Sequence, residues 1–201
     1  MTQPFKAINW NQIEEQIDLA TWTKLTEQFW LPERIPTSND IPDWDRLSNE
    51  ERELFNKVFG GLTALDTLQS EDGVRVILED VRTQHETAVL TNIQFMESVH
   101  ARSYSNIFST LCTPREIDDV FAWTEQNEFL QYKAHKIRDI YLNGTPIQKK
   151  IASVFLESFL FYSGFYTPLY YVGVGKMTNV AEIIKLILRD ESVHGTLGYK
   201  F

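Results

Sequence analysis

From about residue 49 onward the apolar positions show no strand-like alternation bounded by hairpin turns. They fall into long runs, and four of these open on a helix-start signal. Ser48 with Glu51, Thr83 with Glu86, Thr113 with Glu116 and Thr145 with Gln148 fit the Ser/Thr-x-x-Glu/Gln capping box, and Pro114 and Pro146 sit at the first helical position, where a missing N–H costs nothing. Asn143-Gly144, Gly173 and Gly175 supply stops. The pattern predicts helices over about 49–76, 84–111, 114–142 and 146–171, then one from about 179 to the end. The class is all-α. The first 45 residues differ, with Trp10, Trp22, Trp30 and Trp44 among Pro32, Pro36 and Pro42. They read as an irregular arm fastened by aromatic anchors.

The stretch from Ile151 to Val172 is apolar enough to raise a membrane span of about 20 residues. It carries Glu157 and Pro168, and no other segment looks like a span, so it reads as a helix apolar all round at the centre of a bundle.

A chain of 201 residues that is 43% hydrophobic can form one domain, 1–201, with a substantial core. A formal net charge of −9 repels phosphate backbones and argues against nucleic-acid binding. The single Cys112 allows no internal disulfide, and MTQPFKAINW has no basic-then-apolar signal pattern. A cytoplasmic protein away from membranes is expected, with Cys112 given no role.

Candidate chemistry lies in two identical tetrapeptides, Glu97-Ser98-Val99-His100 and Glu191-Ser192-Val193-His194. Residues three apart on a helix are separated by about 60°, so Glu and His of each copy share a face and can bind one cation. Each motif follows an apolar helix with an isolated acid, Asp66 in GGLTALDTLQ and Glu157 in VFLESFLFYSGF. An unpaired interior charge costs several kcal/mol, which metal coordination removes. Four carboxylates and two imidazoles on four helices match the carboxylate-bridged di-iron or di-manganese plan. Of the other histidines, His85 and His135 lie in the polar contexts QHET and KAHKIRD and read as solvent-facing.

Tyr104 follows Glu97 by seven residues, which returns it to within about 20° of the same face, toward the metals. Phe161 and Phe165 follow Glu157 by four and eight residues, and Ile187 precedes Glu191 by four. These three can wall the phenol from water, the condition under which a one-electron oxidised tyrosine survives.

HETAVLTNIQFMESVHARSYSNIF, LESFLFYSGF, RDESVHGTLGYKF and the early QFWLPERIPTSNDIPDW resemble the radical-generating small subunit of class Ib ribonucleotide reductase, over essentially the whole chain. The resemblance implies a ferritin-like fold, a homodimer and two Mn or two Fe ions that generate a tyrosyl radical. It assigns Asp66, Glu97 and His100 to one metal and Glu157, Glu191 and His194 to the other. The radical falls on Tyr104, its apolar pocket on Phe161, Phe165 and Ile187, and the transfer chain on Trp30 and Asp190. Ser158 and Tyr162 resemble positions lining the oxidant's route. The implied partners are the catalytic large subunit and a flavodoxin-like activating protein. A metal-free branch of the family replaces its glutamates, whereas Glu97, Glu157 and Glu191 are intact here. Family members continue beyond the second Glu-x-x-His into further helices and a tail that docks on the large subunit, so the chain corresponds to a C-terminally shortened form.

Two other functions use the same ligand set. A di-iron oxidase or oxygenase acting directly on a small molecule needs an open channel to the metals and tolerates Tyr104→Phe. A ferritin-like iron-binding protein needs a many-subunit shell and has no use for a tryptophan-rich arm.

Overall fold

The structure, a computed structural model, describes residues 4–198. Helices account for all the regular structure among these residues. They are α1 (Gln16–Glu27), α2 (Ile41–Trp44), α3 (Asn49–Leu68), α4 (Val74–Leu78), α5 (Gln84–Leu111), α6 (Pro114–Gln126), α7 (Glu128–Asn143), α8 (Pro146–Phe155), α9 (Phe161–Gly173) and α10 (Thr178–Gly198). Contacts close a ring of four: α3 on α5, α5 on α10, α10 on α9 and α9 on α3. That ring is the helical bundle. Helices α6 and α7 lie against α3, and α1 bridges α5 and α10.

All four predicted helix starts are capped, three of them by the full capping box that the sequence predicts. Ser48, Thr113 and Thr145 form complete capping boxes with Glu51, Glu116 and Gln148, each cap contributing about 1 kcal/mol. At the fourth start Thr83 accepts from the Glu86 amide, but the Glu86 carboxylate accepts instead from the Arg82 amide and from Lys150.

Three predicted helices are broken. The one expected over 114–142 divides at Asn127, whose Oδ1 accepts from the Leu130 amide at 2.9 Å and caps α7. Those expected over 49–76 and 146–171 are each interrupted by a π-helical turn, Gln69–Gly73 and Leu156–Leu160. A π turn inserts one extra residue into the helix and rotates the residues after it, an arrangement frequent at functional sites.

The arm is less irregular than expected, because α1 occupies its middle. Trp30 and Trp44 are buried as anchors, and Trp10 packs on Trp22 with ring centroids 5.4 Å apart. His85, expected to face solvent, is buried. The arm folds over it: His85 Nε2 lies 3.1 Å from the Asn9 carbonyl and the Trp10 ring meets the imidazole edge-on. His135 is exposed.

Ile151–Val172 is not buried on every side as a central helix would be. It buries Leu156, Phe161, Phe165 and Tyr171 and exposes Phe155, Phe159, Tyr162, Tyr166 and Tyr170. Among the described residues no helix is long and apolar enough to cross a membrane.

Candidate metal centre

The two Glu-x-x-His motifs lie on α5 and α10, adjacent members of the ring, with the isolated acids on the other two sides. Asp66 is in the last turn of α3, just ahead of one π turn, and Glu157 is inside the other. All six predicted ligands are buried.

Their donor atoms form two overlapping groups, Asp66–Glu97–His100–Glu191 and Glu97–Glu157–Glu191–His194, each able to hold one metal ion. Glu97 and Glu191 belong to both, so each would be within reach of either metal and not of one alone. The motifs are also interlocked. His100 Nδ1 is 3.0 Å from Glu191 and 3.5 Å from its own Glu97, and His194 Nδ1 is 2.8 Å from Glu97 and 3.5 Å from its own Glu191.

Both oxygens of Asp66, Glu97 and Glu191, with His100 Nδ1, are buried without an aligned hydrogen bond. Leaving such groups unpaired costs about 1–3 kcal/mol each, more when charged. Two divalent cations would satisfy these atoms together and balance the four carboxylate charges, so the residues fit a dinuclear site.

The electrostatics record the crowding. Burial, then the charge of Glu97, pushes Asp66 and Glu157 well above the usual carboxylate range. Burial acts to lower both histidines, but the acceptors close to them outweigh it and leave them well above the ordinary imidazole value, Asp190 and Glu191 beside His100 and Glu157 and Glu191 beside His194. Burial acts to raise Glu191, yet the adjacent Glu157 carboxyl and both imidazoles hold it below the normal range.

Tyr104 is fully buried, and its hydroxyl makes no aligned hydrogen bond, with the Asp66 carboxyl beside it. Burial, followed by the Asp66 carboxylate, pushes the phenol well above its ordinary value. Phe161, Phe165 and Ile187 are fully buried and belong to the same core cluster. The ring stacked on Tyr104 is Phe59, with centroids 5.7 Å apart.

On its outer side His100 presents Nε2 to Asp190 Oδ2 at 3.2 Å, and the Trp30 indole donates to the same oxygen at 2.6 Å. Gln28 donates to the other oxygen, Oδ1, at 3.0 Å. The imidazole and indole rings are stacked with centroids 6.2 Å apart. An indole, a carboxylate and an imidazole thus run from the arm to the cluster.

A family model described as "Ribonucleotide reductase, small chain" matches residues 7–201. The chain belongs to that family. It is 56% identical over 196 residues to the ribonucleoside-diphosphate reductase 2 subunit beta of Escherichia coli (strain K12), covering 97% of this chain and 61% of that protein. A Mycobacterium tuberculosis subunit beta, nrdF2, is 55% identical, with 97% of this chain and 60% of the relative covered. The chain therefore spans about three fifths of the length of these relatives. The crystal structure of Streptococcus sanguinis dimanganese(II)-NrdF superimposes with a TM-score of 0.96 at 69% identity, covering 97% of this chain and 69% of that one. Within the reductase small chains this places the chain in the class Ib, NrdF-type branch, and the fold is ferritin-like.

For a reductase small chain, Ser158 and Tyr162 lie on the outside of the helix that carries Glu157, both exposed. Tyr162 is pushed up by burial and then by the charge of Glu191, so its hydroxyl senses the cluster. A methyl group on Gly195 would overlap Ser158 Oγ, so α10 passes close to this turn. Cys112 donates to Asn56 at 3.3 Å and burial raises its thiol to about 11, an inert setting.

Three participants went unread in the sequence. Phe59 was legible in principle, seven residues before Asp66 on the same face of α3. Gln69 and Tyr141 form a hydrogen-bonded pair beside Glu157. No local pattern announces either, because a π turn and a helix 72 residues away bring them together.

Proposed function

We propose that this chain, read as one ferritin-like domain, is the radical-generating part of the small subunit of a ribonucleoside-diphosphate reductase. The observation that carries the reading is a buried phenol without an aligned hydrogen bond, Tyr104, set beside two interlocked carboxylate–imidazole groups. Asp66, Glu97, His100, Glu157, Glu191 and His194 would hold two Mn or two Fe ions, which when bound supply one-electron oxidising chemistry. The ligand atoms suit either metal; the dimanganese relative makes manganese the first choice.

Tyr104 keeps its proton at neutral pH because burial and Asp66 disfavour the phenolate. Its oxidation to a neutral radical removes one electron and the hydroxyl proton, and the Asp66 carboxyl beside that hydroxyl, which would be ionised when it holds a metal, is the group placed to receive the proton. Phe59 stacks on the ring, and Phe161, Phe165 and Ile187, buried in the same core, would complete the apolar wall that keeps water from it. The oxidising equivalent then passes by His100, Asp190 and Trp30 toward the catalytic large subunit, where ribonucleotides lose the 2′-hydroxyl. Ser158 and Tyr162 line the route by which the oxidant enters. The partners in this reading are a second copy of the chain, the large subunit and a flavodoxin-like activating protein, all in the cytoplasm.

The decisive experiment is electron paramagnetic resonance on metal-loaded, oxidant-treated protein. The wild type is expected to show a tyrosyl signal, and Tyr104→Phe to lose it while still binding two metals per chain. A Tyr104→Phe protein that kept the signal would sink the assignment. Phe at this position with small-molecule oxidation intact would favour the oxidase reading.

A further inference from the structure

Glu157 differs from the other ligand carboxylates in how it is held. Both oxygens of Asp66, Glu97 and Glu191 make no aligned hydrogen bond and have close contacts only within the cluster and with Tyr104, whereas Glu157 Oε1 accepts from the Gln69 side-chain amide. The same amide donates to Ser153 Oγ at 2.8 Å, so both of its protons are engaged. Its carbonyl accepts from the Tyr141 hydroxyl at 2.5 Å. Gln69 and Tyr141 are fully buried.

This chain of donors has one sense. Tyr141 donates to the carbonyl end of Gln69, so the NH2 end faces the metal ligand. A flipped amide would set its carbonyl against the carboxylate oxygen. Two backbone features hold the pair in place. The π turn Gln69–Gly73 puts Gln69 at its first position, and Gly73 leaves the space they occupy: a Cβ there would overlap Gln69 Oε1 and lie 2.9 Å from the Tyr141 ring.

With Oε1 engaged, the oxygen of Glu157 turned to the cluster is Oε2, which lies 3.3 Å from His194 Nδ1. We propose that Gln69, oriented by Tyr141, is a positioning residue that makes Glu157 bind its metal through Oε2 alone, leaving the bridging role to Glu97 and Glu191. Asp66 has no buried amide of this kind; neither of its oxygens makes an aligned hydrogen bond and its neighbour outside the cluster is the Tyr104 hydroxyl, so the two metal positions differ in ligand freedom although their ligand types match. The inference rests on the dinuclear reading above.

Mn(II) titration with low-temperature electron paramagnetic resonance tests it on the wild type, Gln69→Leu and Tyr141→Phe. The wild type is expected to bind two ions and give an exchange-coupled spectrum. Gln69→Leu should bind one of the two about 10-fold to 100-fold more weakly, with an altered coupled spectrum, the range typical for losing a ligand-orienting hydrogen bond. Tyr141→Phe keeps the ring and its packing, so it should fold as the wild type does and shift affinity and spectrum the same way by a smaller factor. If Gln69→Leu fails to fold, Tyr141→Phe alone decides. Variants that matched the wild type in both readouts would overturn the proposal, as would equal weakening of both ions with an unchanged spectrum. A wild type that bound no pair of ions would instead refute the dinuclear reading.

Discussion

Asp190 accepts from Trp30 and faces His100 through one oxygen while Gln28 donates to the other, so each side of the carboxylate meets a donor. Asp190→Asn turns an acceptor into a donor on one of those sides at nearly unchanged volume, and an unmatched buried group costs about 1–3 kcal/mol. The expected outcome is a protein that still binds metal and forms the tyrosyl signal but loses turnover with the large subunit. Stopped turnover with an intact signal separates relay from radical formation; turnover at the wild-type rate would remove Asp190 from the route. The six ligands were readable because chemistry repeated itself: two identical tetrapeptides and two acids in apolar surroundings are hard to account for without a metal. His85 was misread because its burial comes from the arm, through Asn9 and Trp10, and its own neighbours in sequence are polar. Gln69 and Tyr141 were invisible because a buried amide–phenol pair leaves no periodic trace.

At the level of elements, the helix starts were legible because capping is local, and the π turns were not because they answer to tertiary demands. Gln69 and Glu157 both sit in such turns, each on a helix that supplies one acid to the cluster. A regular 3.6-residue helix through either point would rotate the following residues onto another face. The close approach of α6 to α3 has a similar hidden requirement at Gly60, where a Cβ would lie 2.7 Å from Val120 Cγ1 and 3.0 Å from Thr124 Cγ2. Overpacking of this kind typically costs about 1–3 kcal/mol. Gly60→Ala is therefore expected to lower the thermal midpoint with metal stoichiometry unchanged. Calorimetry with metal analysis checks this, and an unchanged midpoint would show that α6 yields freely.

For the molecule as a whole, the cluster ties stability to metal and to pH. Asp66 and Glu157 are raised on folding, so their contribution is present below the ordinary carboxylate value near 4 and is lost as pH rises through the raised values. His100 and His194, also raised, behave the same way from about 6.5 upward. Glu191 is lowered and acts oppositely, its contribution failing only in acid. The metal-free protein should therefore weaken as pH rises between about 6 and about 8, whereas metal binding displaces ligand protons and strengthens. The gain in thermal midpoint on adding Mn(II) is expected to grow over that interval, and a gain independent of pH would contradict the assigned shifts. The bundle was legible in the sequence because one metal plan requires four particular helices to meet. The exposed aromatic face of Phe155, Phe159, Tyr166 and Tyr170 was not, since apolar residues alone do not say which side of a helix is covered. All of this depends on six side chains converging on two cations. Anomalous diffraction at the manganese edge from Mn(II)-loaded crystals tests that most directly: two peaks are expected, both bridged by Glu97 and Glu191, one beside Asp66 and His100 and the other beside Glu157 and His194. Density for a single ion, or for ions outside this set of residues, would contradict it.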